Sequence, residues 1–363
     1  MDSTLKADNL MAYQFADGFD NYGTPPYSMG AGYPWDALNN TPQTNADVRF
    51  NPPGALPGAS LQCGVSNTYI RKNLTSNQAT VMMGFGFKTT SLPGSNVSIC
   101  AWWDTGTQQV SLVLNPNGAL QFYRGNAVGT AIGAITPNAT IAANTWYGIS
   151  MSVTVDPSAG AVSCFINGNA VAAISSTGLN TRATTNSYST QVSIGSDSGN
   201  SGMTFRYDDF FCFDSTTGFL NALPSGDTRI LTKMPSGAGT YSNWTPNGLG
   251  SNFQNAAVQP PSTSDYNANN VSTTKDSYAM QSAGLGVNPI FVMIRASLER
   301  DDAGPHTPSL FFRSGTTDGG AVVTPALTSS YLFYDAVVQN DPATSSAWGF
   351  TGADSTQIGI IEG

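Results

Sequence analysis

The chain has 363 residues, enough for two domains with separate hydrophobic cores. Only 10% of its residues are charged and 40% are hydrophobic, while small polar residues and glycine fill the difference, as is typical of a chain rich in strands and turns. Its 14 basic and 23 acidic residues give a net charge of -9, and the lack of a Lys/Arg cluster argues against a nucleic-acid partner.

Residues 1–10 are polar and carry no strand pattern, which predicts an N-terminal arm. They lack the charged-then-apolar pattern of a signal peptide, and no apolar run in the chain reaches membrane-spanning length. We therefore expect synthesis in a cytoplasm without secretion, and no membrane insertion. The four cysteines lie far apart in apolar stretches, which predicts reduced, buried thiols: Cys63, Cys100, Cys164 and Cys212.

From residue 80 onward, short stretches alternate apolar with small or polar residues, which predicts strands. The clearest are 80–87, 97–103, 109–114, 119–123, 146–155, 161–166, 191–195 and 205–213. Tight turns are predicted at Asn117-Gly118 and Asn167-Gly168, because Asn-Gly accepts positive φ angles. So many strands without covering helices predict an all-β, two-sheet antiparallel sandwich over residues 11–215.

A second, smaller β domain is predicted over residues 216–363, with strands at 290–296, 309–313, 331–335 and 357–361. Residues 241–278 form a long, polar segment that we predict to be irregular. Such a segment is typical of a functional loop or a partner-bound extension, and its aromatic residues are candidate assembly contacts: Tyr241, Trp244, Phe253 and Tyr266. The alternative is a loop folded back over its own domain.

No catalytic residues are predicted. A glycosidase in this class of sandwich needs two carboxylates on one face of a strand, yet the two glutamates, Glu299 and Glu362, lie outside the sandwich. Asp208 and Asp209 are adjacent in a strand, so regular alternation would turn them to opposite faces. His306 is interpreted as a solvent-exposed loop residue, and no nucleotide-binding or G-x-S-x-G motif is present.

Carbohydrate binding needs an exposed aromatic platform with polar groups around it. In a regular strand, either Trp102 or Trp103 must face outward, and Trp35 lies in a predicted loop. These three tryptophans are therefore candidate sugar-binding residues. The alternative is that all three serve packing, as large aromatic residues usually do.

An ordered set of motifs spans the predicted sandwich. It comprises F-x-D-G-F-D at 15–20, a strand led by Trp146, a D-x-x-x-G turn, Ile166-Asn167-Gly168, V-x-I-G and Y-D-D-F at 207–210. This order resembles the concanavalin A-like lectin/glucanase domains of the LamG type. The resemblance implies a jelly-roll sandwich whose first and last strands lie close together. It also implies structural roles for Asp17, Asp20, Asp208 and Asp209, with a calcium site as the alternative.

The C-terminal region carries G-D-x-R-I at 226–230, Y-S-x-W-T-P at 241–246, E-R-D-D-A-G at 299–304 and R-S-G-x-T-D at 313–318. Behind a LamG-like domain, these signatures resemble virion proteins of tailed bacteriophages. The resemblance implies a non-enzymatic structural protein of the phage head or tail, contacting its own copies and other virion proteins, with a host surface glycan as a further candidate partner. A free lectin-like protein and a glycan-cleaving hydrolase are the alternatives. No cofactor other than calcium is implied.

Overall fold

The computed structural model describes residues 12–22, 34–49, 58–64, 67–196, 203–216, 220–282 and 286–363. The arm predicted at residues 1–10 lies outside these ranges and stays a prediction. Among the described residues, no helix has the length and apolar character needed to cross a bilayer.

Among the described residues, sixteen strands belong to the first part of the chain. They are β1 (Tyr13–Asp17), β2 (Ala37–Asn39), β3 (Gln43–Asn45), β4 (Ser60–Cys63), β5 (Tyr69–Gln78), β6 (Thr80–Thr89), β7 (Val97–Asp104), β8 (Thr107–Leu114), β9 (Leu120–Arg124), β10 (Thr130–Ile132), β11 (Tyr147–Thr154), β12 (Gly160–Ile166), β13 (Asn169–Ala170), β14 (Ser176–Leu179), β15 (Ser189–Gly195) and β16 (Phe205–Asp214). A single 3₁₀ turn, Ala172–Ile174, separates β13 from β14.

These strands form two antiparallel sheets. Sheet A has the order β13-β12-β11-β6-β16-β4-β3, with β1 also paired to β16 and β14 to β12, and sheet B has the order β10-β9-β8-β7-β15-β5-β2. Alternate side chains of both sheets fill one core, to which Phe85, Met151, Trp102 and Val192 belong. The predicted concanavalin A-like jelly-roll sandwich is confirmed, and its first and last strands pair directly.

The described part of the remaining chain contains eleven strands and two short helices. They are β17 (Pro235–Ser242), β18 (Thr245–Asn247), α1 (Asn252–Ala256), β19 (Tyr266–Ala268), β20 (Lys275–Met280), β21 (Val292–Leu298), β22 (Ser309–Ser314), β23 (Thr317–Val323), β24 (Leu332–Val338), β25 (Asn340–Asp341), β26 (Ser346–Ala347), α2 (Phe350–Ser355) and β27 (Gln357–Ile361). A five-stranded sheet has the order β17-β20-β27-β22-β23, while β18-β19, β21-β24 and β25-β26 are separate pairs.

This C-terminal unit has its own small core around Phe312, Trp348 and Ile360. A third cluster joins the two parts of the chain, because Phe211 and Phe213 on the outer face of sheet A pack with residues that include Leu220 and Phe291. The predicted boundary after residue 215 therefore separates two cores that share a buried contact, and the independence of the two domains stays a prediction.

The segment 241–278 is more regular than predicted. It contains β18, α1 and β19, and the buried Asn255 side chain holds the segment together by donating to the carbonyl oxygens of Asn247 at 2.9 Å and Tyr266 at 2.8 Å. The segment thus folds back over its own unit, which was the alternative interpretation.

The four cysteines are buried and free, as predicted. Burial raises the pKa values of all four thiols, to about 12 for Cys164. Thiols in this state act as small apolar side chains.

Candidate functional site

The aspartates singled out in the sequence lie where the sandwich meets the C-terminal unit. We call this place the junction and define it by Asp17, Asp20, Arg49, Asp208, Asp209, Asp227, Arg229, Arg295 and Asp335. It includes residues from β1, β16, β21 and β24 and from the connections beside them. Charged groups this far inside a protein persist only when they are paired or hydrogen-bonded.

Asp17 ends β1 and is 2% exposed. Its carboxylate accepts hydrogen bonds from the Phe19 amide at 2.9 Å, from the Trp35 indole at 2.7 Å and from the Tyr22 hydroxyl. The Arg295 guanidinium lies 3.8 Å away and completes the charge balance. Asp17 is therefore a structural acceptor at the start of the sandwich.

Arg295 connects β21 to the sandwich. It makes a bidentate pair with Asp335 on β24, with both N–O distances at 2.8 Å, and it donates to the Ala16 carbonyl oxygen at 2.8 Å. Burial alone would lower the pKa of Arg295, but the Asp335 carboxylate overrides this effect and raises it. The pair remains ionised and fixes the C-terminal unit against β1.

Asp208 and Asp209 do not follow the predicted alternation. A β-bulge interrupts the pairing of β16 with β6 after Asp208, and Asp209 has a φ of 54°. The bulge brings both carboxylates to Arg49: Asp208 accepts from its backbone amide at 2.9 Å, and Asp209 lies 3.4 Å from its guanidinium. The expectation of opposite faces was wrong, because it assumed a regular strand.

The G-D-x-R-I segment closes this side of the junction. Asp227 pairs with Arg49 and, at 2.8 Å, with Arg229, while the Ile230 amide donates to Asp209 at 2.7 Å. The segment packs closely against sheet A, because a Cβ added at Gly148 would overlap both Asp227 and Arg49. A cavity of about 10 Å³ beside Arg49 has room for roughly one water molecule.

The junction holds more carboxylates than cations, and burial is the main cause of the raised pKa values of its aspartates. Burial raises the pKa of Asp20 to about 7, and the nearby charges of Asp209 and Asp17 add to the effect. Burial also raises the pKa values of Asp17, Asp208 and Asp209. For Asp209 the Ile230 amide and the cations Arg49 and Arg229 oppose the increase.

The four aspartates do not form the calcium site that was the alternative interpretation. Within the described ranges, no group of three or more His, Cys, Asp or Glu side chains could hold a metal ion. Their oxygen atoms instead accept hydrogen bonds from the protein, as for Asp20, which accepts from the Ala59 amide at 2.9 Å. The chemistry of the junction is hydrogen bonding and ion pairing.

The predicted aromatic platform is absent at the three candidate tryptophans. Trp35 is 6% exposed and stacks on Phe19, and Trp102 is fully buried in the core. Trp103 does face outward from sheet B, but it is only 5% exposed because the Arg71 guanidinium lies 3.6 Å above its ring. All three serve packing, and the prediction of an exposed sugar-binding face was wrong for each of them.

The four aromatic candidates for assembly contacts are half-buried within their own unit: Tyr241, Trp244, Phe253 and Tyr266. Tyr241 donates to Asp318 at 2.8 Å and lies beneath the cations of Lys275 and Arg313, and Trp244 packs on the C-terminal core. Contact with a partner chain stays a prediction for all four.

His306 differs most from its interpretation as a free loop residue. Its Nδ1 atom lies 2.7 Å from Glu362 and its Nε2 atom lies 2.9 Å from Asp302. The sequence could not reveal the contact with Glu362, because this residue is 56 positions away in the chain. Arg49 and Arg295 were missed for the same reason: isolated arginines in a sequence do not reveal their partners.

Comparison with protein families supports the fold described for the sandwich. Residues 66–217 match the family model Laminin_G_3, described as the concanavalin A-like lectin/glucanases superfamily. The match covers most of the sandwich and less than half of the chain. None of the curated proteins compared with the chain matches it.

Solved structures show only distant similarity. The cellulose induced protein Cip1 is 13% identical, with a TM-score of 0.41 over 60% of this chain and 99% of its own. A Trypanosoma rangeli sialidase mutant displaying trans-sialidase activity is 10% identical, with a TM-score of 0.33 over 51% of this chain and 30% of its own. The alginate lyase AlgAT5 from polysaccharide lyase family 7 is 11% identical, with a TM-score of 0.31 over 47% of this chain and 81% of its own. Over residues 66–217, the sandwich is similar to the concanavalin A-like lectin/glucanases superfamily.

Proposed function

We propose that the protein is a non-catalytic structural component of a bacteriophage virion, located on the head or tail surface and made in the bacterial cytoplasm. The observation that carries the proposal is the junction, where the conspicuous carboxylates of the sandwich bind cations and amides of the same chain. Carboxylates bound within the same chain stabilise its fold, and a stable fold is what a particle component requires. Copies of the same chain and other virion proteins would be its partners.

The virion-type motifs support this proposal through the contacts they make. Asp227 and Arg229 of G-D-x-R-I belong to the junction, and Arg313 pairs with Asp318 within R-S-G-x-T-D. The first motif therefore binds the sandwich through Arg49 and Asp209, and the second stabilises the unit that follows it. The low fraction of charged residues, 10%, also favours surfaces that pack against other subunits, because fewer charges must be desolvated on assembly.

The non-catalytic part of the proposal is supported by the placement of the acidic groups. Glu299 immediately follows β21 and Glu362 immediately follows β27, both outside the sandwich. Asp208 and Asp209 are 5% and 3% exposed, and their carboxylates are bound to Arg49, Ile230 and Arg229. A glycosidase needs two carboxylates that reach one substrate bond.

Particles can test this function directly. Virions purified from a culture that carries the gene should contain the chain in a fixed ratio to the major capsid protein by quantitative mass spectrometry, and antibody labelling should place it on the particle surface. Recovery of the chain only as free protein, with none in the particles, would contradict the proposal.

The free lectin is a second candidate because residues 66–217 match the family model described as the concanavalin A-like lectin/glucanases superfamily. A glycan array probed with the full chain would distinguish it from the structural role. Glycan binding by a chain that is absent from particles would favour a lectin, and a virion protein that also recognises a host glycan would bind the array while still copurifying with particles. Turnover of any glycan, checked by release of reducing ends, would favour the hydrolase.

A further inference from the structure

The side chain of His306 lies between two carboxylates that belong to different parts of the C-terminal unit. Asp302 is in the same loop, residues 299–308, while Glu362 follows the central strand β27. Glu362 is fixed by its backbone, since its amide donates to Thr274 at 3.1 Å and its carbonyl accepts from Thr273 at 2.9 Å. The imidazole therefore connects a solvent-exposed loop to the rigid sheet.

We propose that His306 is a proton-controlled clamp: the imidazolium binds Glu362 and Asp302 together and holds the outer turn of the loop, and loss of its proton releases that turn. An imidazolium has two N–H donors, one for each carboxylate, whereas neutral imidazole has one. The clamp goes beyond the structural role proposed above and would make the loop a contact surface that changes with pH.

Burial decides which contact is lost. The Glu362 side chain is 6% exposed, so water cannot replace its donor, whereas the Asp302 side chain is 55% exposed and water can. The neutral ring therefore keeps its remaining proton on Nδ1 toward Glu362 and leaves Asp302. The proton goes to solvent, and the loop becomes more negative by one charge.

The other charged groups of the loop have partners other than the ring. The Arg300 guanidinium donates to the Gly304 carbonyl at 2.7 Å within the same loop, where the Gly304 amide also donates to Asp302 at 2.8 Å, and Glu299 bonds to Tyr331. Burial, Glu299 and the charge of Asp301 together raise the pKa of Tyr331. In strand β20, which pairs with β27, the Lys275 ammonium pairs with Asp318 at 2.7 Å. Asp302 and Glu362 are thus the two groups that set the charge state of the ring.

The contacts fix the direction of the pH effect. The hydrogen bond to Glu362 is the largest influence raising the pKa of His306, Asp302 adds to it, and burial opposes both. A group whose pKa is raised by folding contributes its stabilisation below the unfolded value of about 6.5 and loses it as the pH rises through the folded value. The loop is therefore closed below a pH of about 6.5 and opens as the pH rises through the pKa of His306 in the folded protein.

The chain offers a clean measurement, because His306 is its only histidine. In NMR titration of the full chain, the single set of imidazole signals should show a midpoint above 6.5, and both Glu362→Gln and Asp302→Asn should lower it, the former by more. Hydrogen exchange of residues 301–304, corrected for intrinsic rates, should increase across the same midpoint.

The control is His306→Gln, which keeps a hydrogen-bonding side chain that does not titrate. Its loop exchange should be independent of pH over the same range. A wild-type midpoint at or below 6.5, or an identical pH dependence of exchange in His306→Gln, would overturn the proposal. Should Glu362→Gln weaken the end of β27, Asp302→Asn still tests the clamp, because Asp302 lies in the exposed loop.

Discussion

Asp20 makes the junction sensitive to pH, and the variant Asp20→Asn tests this. The carboxylate accepts a hydrogen bond from the Ala59 amide at 2.9 Å and another from the Thr232 side chain. An Asn Oδ1 atom can keep the first contact, and the Thr232 hydroxyl can rotate to accept from the new amide. The substitution therefore removes the negative charge while keeping the shape of the site.

The magnitude follows from the pKa of Asp20, which burial raises from 3.8 to about 7. Because the folded value is the higher one, the stabilisation is fully present below pH 3.8 and is lost as the pH rises through about 7. At 1.36 kcal/mol per pH unit, the loss between these limits is about 4 kcal/mol at most. Asp17, Asp208 and Asp209 have raised pKa values as well and act in the same direction.

Urea unfolding of the full chain at pH 5 and pH 8 measures the effect. We expect the wild type to lose stability between these pH values and Asp20→Asn to lose about 2 to 3 kcal/mol less. Asp156→Asn is the matched control, since Asp156 is an exposed turn residue whose pKa is lowered by the amides of Ala159 and Ser158 and which is ionised at both pH values. Equal losses in wild type and Asp20→Asn would refute the reasoning.

Two further predictions concern packing. Gly148→Ala should destabilise the full chain by about 1 to 3 kcal/mol, because its Cβ would displace Arg49 and Asp227. The control Gly94→Ala should be near neutral, since nothing lies within 4 Å of a Cβ added there. Equal melting temperatures of the two variants would contradict this prediction. Thiol titration of denatured, unreduced protein should find four reactive cysteines, and a count of two or fewer would contradict the free thiols of the structure.

The strands of the sandwich could be predicted from the sequence because their apolar alternation is a local property. The stretch 80–87 became β6 (Thr80–Thr89) and 97–103 became β7 (Val97–Asp104). The turn at Asn167-Gly168 was predicted for the right reason, since both residues have positive φ angles, 50° and 76°. Local patterns of this kind determined the fold class and most strand positions.

The candidate site was predicted less well because its geometry depends on contacts between distant residues. Alternation correctly required one of Trp102 and Trp103 to face outward, but it could not show which one, or that Arg71 of sheet B would cover the ring of Trp103. Alternation failed at Asp209 because a bulge interrupts β16. The aspartates were identified correctly as a group, whereas the arginines that bind them were not found.

The contact between the two units leads to a last prediction, about the sandwich expressed alone as residues 11–215. Without the C-terminal unit, Asp17 loses Arg295, and the outer face of sheet A loses the cover over Phe211 and Phe213. A buried carboxylate without its cation and an exposed apolar patch both favour unfolding and association.

We therefore expect this fragment to melt at a lower temperature than the full chain and to self-associate in light scattering. The full chain should unfold in one cooperative transition, because the junction couples the two cores. A monomeric fragment that melts at the same temperature as the full chain would show that the sandwich is independent of the junction. The Arg295 and Asp335 contacts would then hold two separately stable domains side by side.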